Sequence, residues 1–182
     1  MQYRICAQEG SVSLRPLESQ DSPLLLHWLT DSRNLAYWEG ESAVFTPERI
    51  QEDFYHDEWN ASRCIIQYEG RDIGYAQAYL LDGEMFAEYQ YPRTDLRTFG
   101  IDQFISVPEL WGQGIGRRFI RLPCGWLRDC GGAQAVVLDP HADNPRAIRC
   151  YEACGFRKVK LLPRHELHNG VLVDCWLMAL EL

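Results

Sequence analysis

A run of alternating glycines between a strand and a helix constrains this chain more than any other feature. Phe99 to Val107 reads as a β-strand, Pro108 ends it, and Trp111-Gly112-Gln113-Gly114-Ile115-Gly116-Arg117-Arg118 leads into helical periodicity. Ile115, Phe119, Leu122 and Trp126 share one face of that helix, which spans Gly114 to about Cys130. Pro123 lies inside it, so a kink or an earlier end is expected there. Without Cβ atoms, the glycines let backbone N–H groups turn toward one point and let a ligand come close. The positive end of the helix dipole suits a phosphate or pyrophosphate, and Arg117 and Arg118 follow directly.

Known phosphate loops fit this turn unequally. A Walker A loop needs Gly-Lys-Ser/Thr, which does not follow. A Rossmann turn gains from Asp139, which ends the next strand about twenty residues on, where a ribose-binding acid would sit. Its third glycine, however, would fall at Arg117, and the unit begins only at Phe99, after strands that look antiparallel. A glycine turn that binds nothing is the plain alternative.

The rest of the chain reads as one α/β domain of 182 residues without repeats or linkers. Ser11–Leu17 alternates as a strand, and Ser19–Thr30 is helical, with Leu24, Leu25, Trp28 and Leu29 in one stripe. Asn34–Glu41 reads as a loop, and Thr46-Pro47 caps a helix to about His56. Strands at Arg63–Tyr68 and Asp72–Leu80 flank the turn Glu69-Gly70-Arg71, and Leu81–Thr98 looks irregular and polar. Ala135–Leu138 is a short strand. Asn144-Pro145 opens a helix to Ala153 with Gly155 as its C-cap. Phe156–Leu162 and Val171–Leu180 form the last strands. This order predicts a mixed, mostly antiparallel central sheet flanked by helices. Its one parallel unit joins the Phe99 and Ala135 strands through the long helix.

Composition narrows the partners. With 26 acids against 18 bases the chain carries a net charge of -8, poorly suited to a nucleic-acid backbone. No apolar run reaches membrane-spanning length, and Met1–Gly10 lacks the pattern of a signal peptide, so a cytoplasmic protein is expected. Charge is also split along the chain. Asp31 to Tyr91 holds thirteen acids and four bases, whereas Trp111 to Lys160 holds nine bases and four acids. A basic half suits phosphates and an acidic half suits a polycation, although acidic loops also serve solubility. The seven cysteines form no Cys-x-x-Cys pair and read as small buried hydrophobes, with Cys150 and Cys154 one helical turn apart. The five histidines show no metal spacing, so no metal is expected, and His165 and His168 read as solvated loop residues. Tyr89 and Tyr91 read as exposed aromatics able to meet a second subunit, leaving monomer and homodimer both open.

Two segments together carry a resemblance. Trp111-Gly112-Gln113-Gly114-Ile115-Gly116 resembles the acyl-CoA pyrophosphate loop, Arg/Gln-x-x-Gly-x-Gly/Ala, of the GNAT superfamily of N-acyltransferases. Asn144-Pro145-Arg146-Ala147…Tyr151-Glu152-Ala153-Cys154-Gly155-Phe156 looks like that superfamily's other hallmark helix. Trp111 departs from the pattern, at the cost of a side-chain contact. Gly74–Tyr79, Gly100-Ile101-Asp102-Gln103-Phe104-Ile105 and Arg146–Tyr151 look further like the aminoglycoside 6'-N-acetyltransferases. The Gly-Ile-Asp-Gln strand also occurs in acyltransferases of siderophore biosynthesis.

The resemblance implies a GNAT fold with a splayed strand pair at an acetyl-CoA site, and a small cationic acceptor, an aminoglycoside. Direct transfer to an amine needs a base for the ammonium proton and an acid for the leaving thiolate. Asp102 is the candidate base and shares a strand face with Phe104 and Ser106; capping the strand start is its structural alternative. Tyr151 is the candidate acid, since a phenol near pKa ~10 can protonate a thiolate while uncharged at neutral pH; a core aromatic is its alternative. Acetyl-CoA contacts are expected from backbone at Ile105, Ser106 and Val107, from the turn Trp111, Gly112, Gln113, Gly114, Ile115, Gly116 and Arg117, and from Asn144 and Ala147. Asn144 is compatible with a helix cap as well. On the acceptor side the resemblance implies Trp38, Glu39, Gln77, Tyr79 and Asp139 beside Asp102. The polar Leu81–Thr98 segment, with Asp82, Glu84 and Glu88, reads as a lid outside the resemblance, and no role is assigned to its residues.

Overall fold

The computed structural model describes residues 4–56 and 60–182. Strands β1 (Ala7–Glu9), β2 (Val12–Pro16), β3 (Ser62–Tyr68), β4 (Arg71–Leu80), β5 (Thr98–Ile105), β6 (Ala135–Leu138), β7 (Arg157–His168) and β8 (Val171–Glu181) form one sheet. Their order is β1-β2-β3-β4-β5-β6-β8-β7. Helices α1 (Ser22–Trp28), α2 (Ser32–Leu35), α3 (Pro47–Tyr55), α4 (Gly83–Tyr89), α5 (Ile115–Asp129) and α6 (Pro145–Glu152) cover it. Among the described residues β5 and β6 form the one parallel strand pair. This removes the Rossmann reading, which needs a mostly parallel sheet.

Strand alternation sorts the core onto two faces. Cys64, Ile66, Ala76 and Ile101 pack with Phe119 and Leu127 of α5 and Ile148 of α6. The intervening Ile65, Tyr75 and Phe104 pack with Leu25 and Trp28 of α1 and Ile50 and Phe54 of α3. Burying a side chain such as Phe119 or Ile50 removes it from water and stabilises by roughly 1.5–3 kcal/mol. A third cluster joins Tyr79, Val137, Leu162 and Leu177 to Tyr89 of α4.

Caps set the helix starts. Thr46 accepts the Arg49 N–H with Pro47 at the first helical position of α3, as its sequence leads one to expect. Asn144 does the same for α6 by accepting the Ala147 N–H at 3.1 Å. In α5 the N-cap is Gly114, with φ +78, and Gly112 has φ +76. Both lie in the left-handed region that favours glycine. The helix runs through Pro123 to Asp129 instead of stopping early.

Four sequence expectations need correction. The polar stretch Leu81–Thr98 contains α4, because Asp82 accepts the N–H groups of Glu84 and Met85 and starts a helix there. Asn34 and Leu35 belong to α2, capped by Asp31, rather than to a loop. Tyr89 and Tyr91 are only 8% and 4% exposed, since they pack into the cluster with Tyr79, Val137 and Leu177 and are no surface patch. Finally, β7 extends to His168, so His165 and His168 lie in a strand. Pairing resumes past an irregularity between Leu162 and Glu166, where Pro163 interrupts the pattern a reader would follow.

Candidate active site

The parallel strands part early. β5 and β6 pair only at Thr98–Ala135, Phe99–Val136 and Gly100–Val137. On its other edge β5 stays paired with β4 as far as Gly74–Ile105. From Ile101 onward the edge of β5 that faces β6 therefore has no strand partner among the described residues. Ser106 donates its N–H to Ile73 of the β4 side at 2.7 Å. Backbone direction alternates along a strand, so the Ile105 amide faces the gap and the Ser106 amide does not. Ser106 is also tied through its hydroxyl, which accepts Asn34 Nδ2 at 3.0 Å.

A cleft of about 1140 Å³ occupies the gap. Both faces of β5 contribute to it. Asp102 enters from the face of α1, α3 and α4, and Tyr151 from the face of α5 and α6. Its walls carry nine carboxylate side chains against three arginines.

On the first face, hydrogen bonds hold Asp102. Gln77 Nε2 donates to Asp102 Oδ2 at 2.7 Å, and Tyr75 donates to Gln77 Oε1 at 2.8 Å, fixing the amide. The Tyr79 hydroxyl lies 3.5 Å from Asp102 Oδ1. Gly100 makes room for it, because a Cβ there would overlap the Tyr79 ring. Burial, then the charge of Asp139, push Asp102 up to about 7, against the opposing hydrogen bond from Gln77. Such a group sits where a general base works at neutral pH. Asp139 itself pairs with His165 Nε2 at 3.0 Å, their side chains 10% and 11% exposed. That hydrogen bond raises His165 above the usual imidazole range.

On the second face, Gln103 Nε2 donates to the Tyr151 hydroxyl at 2.7 Å. Burial drives Tyr151 well above the usual phenol range, so it keeps its proton. The glycine turn lies beyond. Helix α5 has no side-chain N-cap, so its first amides lack intrahelical partners and remain as donors. Gly116 is needed for a different reason from Gly112 and Gly114: a Cβ there would come 3.1 Å from Cys150 Sγ. Trp111 gives the loop a brace, donating its indole N–H to the Ile105 carbonyl at 2.8 Å. The Arg146 guanidinium stacks 4.0 Å from the Trp111 ring and 4.4 Å from that of Tyr37.

Residues 18–163 match the model of the GNAT acetyltransferase domain. The chain belongs to the GNAT acetyltransferase family. It is 32% identical over 151 residues to aminoglycoside N(6')-acetyltransferase type 1 of Klebsiella pneumoniae, covering 81% of this chain and 75% of the relative. The solved structure of AAC(6')-Ib in complex with ribostamycin and coenzyme A superposes with a TM-score of 0.78 at 28% identity, over 94% of each chain. Spermidine N(1)-acetyltransferase of Vibrio cholerae is 26% identical over 91% of this chain and 90% of its own.

Every residue expected on the acceptor side of this GNAT chain lines the cleft: Trp38, Glu39, Gln77, Tyr79, Asp102 and Asp139. Five of them already have polar partners: Tyr79 and Asp102 as described, Asp139 with His165, and two more. Glu39 is paired with Arg49 at 2.5 Å, and Gln77 with Asp102. Of the expected acetyl-CoA residues, Ile105, Trp111, Gly116, Asn144 and Ala147 line the cleft, and Ser106, Val107, Gly112, Gln113, Gly114, Ile115 and Arg117 do not. Ile115 is 2% exposed and packs in the core, so it offers only its backbone. The Ser106 amide, committed to Ile73, is removed from the expected donors.

Sequence reasoning missed His165, Gln103 and the His141–Glu166 hydrogen bond at 2.8 Å. Chain spacing hid another grouping, since His141, Glu166 and Cys175 each place a ligand atom within 4.8 Å of the others. Glu166 already holds His141 there, and Cys175 is fully buried. The cysteines are less uniform than expected. Cys64, Cys124 and Cys175 are buried, while Cys6 and Cys130 are exposed and Cys150 and Cys154 half-buried. A hydrogen bond from Cys150, assisted by Arg121 and Arg117, draws Cys154 down to about 7.

Proposed function

We propose that this chain is an acetyl-CoA-dependent acetyltransferase acting on the 6'-amine of aminoglycosides in the cytoplasm. One observation carries the mechanism: the parted strands let Asp102 and Tyr151 reach one cleft from opposite faces of the sheet. The amides opening α5 take the pyrophosphate of coenzyme A. The Ile105 amide, facing the gap, donates to the thioester carbonyl and stabilises the charge that develops on its oxygen. The acceptor ammonium enters among carboxylates, with the rings of Trp38 and Tyr79 alongside.

Asp102 takes a proton from the ammonium, and the free amine attacks the thioester carbon. The C–S bond breaks as the amide forms, and Tyr151 gives its proton to the departing thiolate. The proton released from the amine restores Tyr151 or leaves to solvent. Gln77 serves the acceptor indirectly, through Asp102, and the Asp139–His165 pair sets the far wall. The cleft histidines His141 and His165 are held by Glu166 and Asp139 rather than by Cys150, which supports direct transfer.

The test is free-thiol release from acetyl-CoA with kanamycin, tobramycin and spermidine as acceptors. Acetylation of the 6'-amine of kanamycin supports the proposal. Turnover of spermidine alone would move the acceptor to a linear polyamine, and inertness toward all three would refute both readings. Asp102→Asn is expected to lower kcat by about 100-fold or more while coenzyme A binding persists. Unchanged turnover would remove Asp102 from the chemistry.

A further inference from the structure

The Gly-Ile-Asp-Gln strand contributes two consecutive polar residues, and only the first enters the mechanism above. Asp102 and Gln103 are neighbours on β5, so they point to opposite faces. Gln103 Nε2 donates to the Tyr151 hydroxyl at 2.7 Å. Gln103 Oε1 is shielded from solvent and has no hydrogen-bond partner among the described residues. We infer that Gln103 is a positioning residue for Tyr151, holding the phenol so that its hydrogen points at the leaving sulfur. The inference rests on the assignment of Tyr151 as the acid.

The chemistry follows from what each group can do. A phenol oxygen carries one hydrogen and accepts through its lone pairs. An amide N–H that occupies the acceptor side leaves the hydroxyl hydrogen free to be given elsewhere. The same N–H stabilises the phenolate formed as the proton leaves, and so opposes the burial that keeps Tyr151 protonated. The ring is set from the other side by packing on Phe156, with centroids 6.1 Å apart. Gln103 thus acts twice, through Tyr151, on the direction of the hydrogen and on the ease of its transfer, without itself giving or taking a proton. With its amide turned the other way, Gln103 would accept the phenol hydrogen and spend it.

Single-turnover rates with acetyl-CoA and kanamycin test this in Gln103→Leu, Gln103→Glu, Tyr151→Phe and the double variant Gln103→Leu/Tyr151→Phe. Gln103→Leu should slow transfer by about tenfold, the worth of one hydrogen bond, with KM for both substrates within about twofold. Gln103→Glu keeps the shape but offers only acceptors when ionised, so it should lose activity above the carboxylate pKa and recover as pH falls. In the Tyr151→Phe background, Gln103→Leu should cost nothing more, because there is no hydrogen left to aim. Equal losses from Gln103→Leu with and without Tyr151 would overturn the inference, as would full activity of Gln103→Glu at pH 8. Full activity of the Gln103 variants beside a disabled Tyr151→Phe overturns the inference alone. Full activity of Tyr151→Phe overturns the assignment of Tyr151 and the inference with it. Gln103→Glu is isosteric, so it carries the test should Gln103→Leu fold poorly.

Discussion

Replacing Gln77 by leucine should move the ascending limb of the pH–rate profile without destroying the catalyst. Gln77 Nε2 donates to Asp102 Oδ2 at 2.7 Å, and that bond favours the ionised carboxylate. A hydrogen bond to a charged group is worth roughly twice one to a neutral group, so its removal disfavours ionisation by about 1–1.5 kcal/mol. At 1.36 kcal/mol per unit, the pKa of Asp102 rises by about one, from about 7 toward roughly 8. The ionised fraction at pH 7 then drops from about one half to about one tenth. The expected loss in kcat is about fivefold at pH 7, near tenfold at pH 6, and under about 1.3-fold at pH 9. Taking the ratio of variant to wild type at each pH cancels the titration of the acceptor amine. Gln77→Glu should push the limb further, because a second carboxylate would face the first. A loss that stays constant from pH 6 to pH 9 would refute the argument, since it would place the effect in binding or folding.

Gly114→Ala forces a Cβ into the left-handed backbone at φ +78, costing roughly 1–2 kcal/mol, and should raise KM for acetyl-CoA while leaving the acceptor KM nearly unchanged; initial-rate kinetics check it. Asp21→Asn concerns stability. Burial opposes ionisation of Asp21, but the Arg15 hydrogen bond and the Glu18 N–H hold its carboxyl below the usual range. Its folded pKa thus lies under the unfolded value, so the stabilisation is present above about pH 4 and fades as pH falls through the folded pKa. Asp21→Asn should therefore cost about 1–2 kcal/mol at pH 7, with the gap closing in strong acid, as read by urea unfolding at each pH.

What sequence could disclose depended on whether the signal was local. The glycine turn, the Thr46 and Asn144 caps and the Ala135–Leu138 strand announce themselves within a few residues, and the structure bears them out. Asp102, Gln77 and Tyr79 were brought to one face by simple alternation across a paired β4 and β5. Helix α4 escaped notice because a glycine opens it and its apolar side is short, although Asp82 ahead of Glu84 was a capping signal. The Asp139–His165 pair was beyond reach for another reason. It forms across β6, β8 and β7, and the shift in register between Leu162 and Glu166 breaks the alternation that would have aimed His165 inward.

The early separation of β5 and β6 also bears on how such an enzyme can diversify. In the mechanism proposed above, peptide groups grip the donor there, and almost any sequence supplies peptide groups. The opposite wall is assembled from separate stretches of chain, around Trp38, Gln77, Glu88, Asp139 and His165. Substitutions in those stretches can therefore retune which amines are accepted one wall segment at a time, while the machinery that delivers the acetyl group is inherited intact.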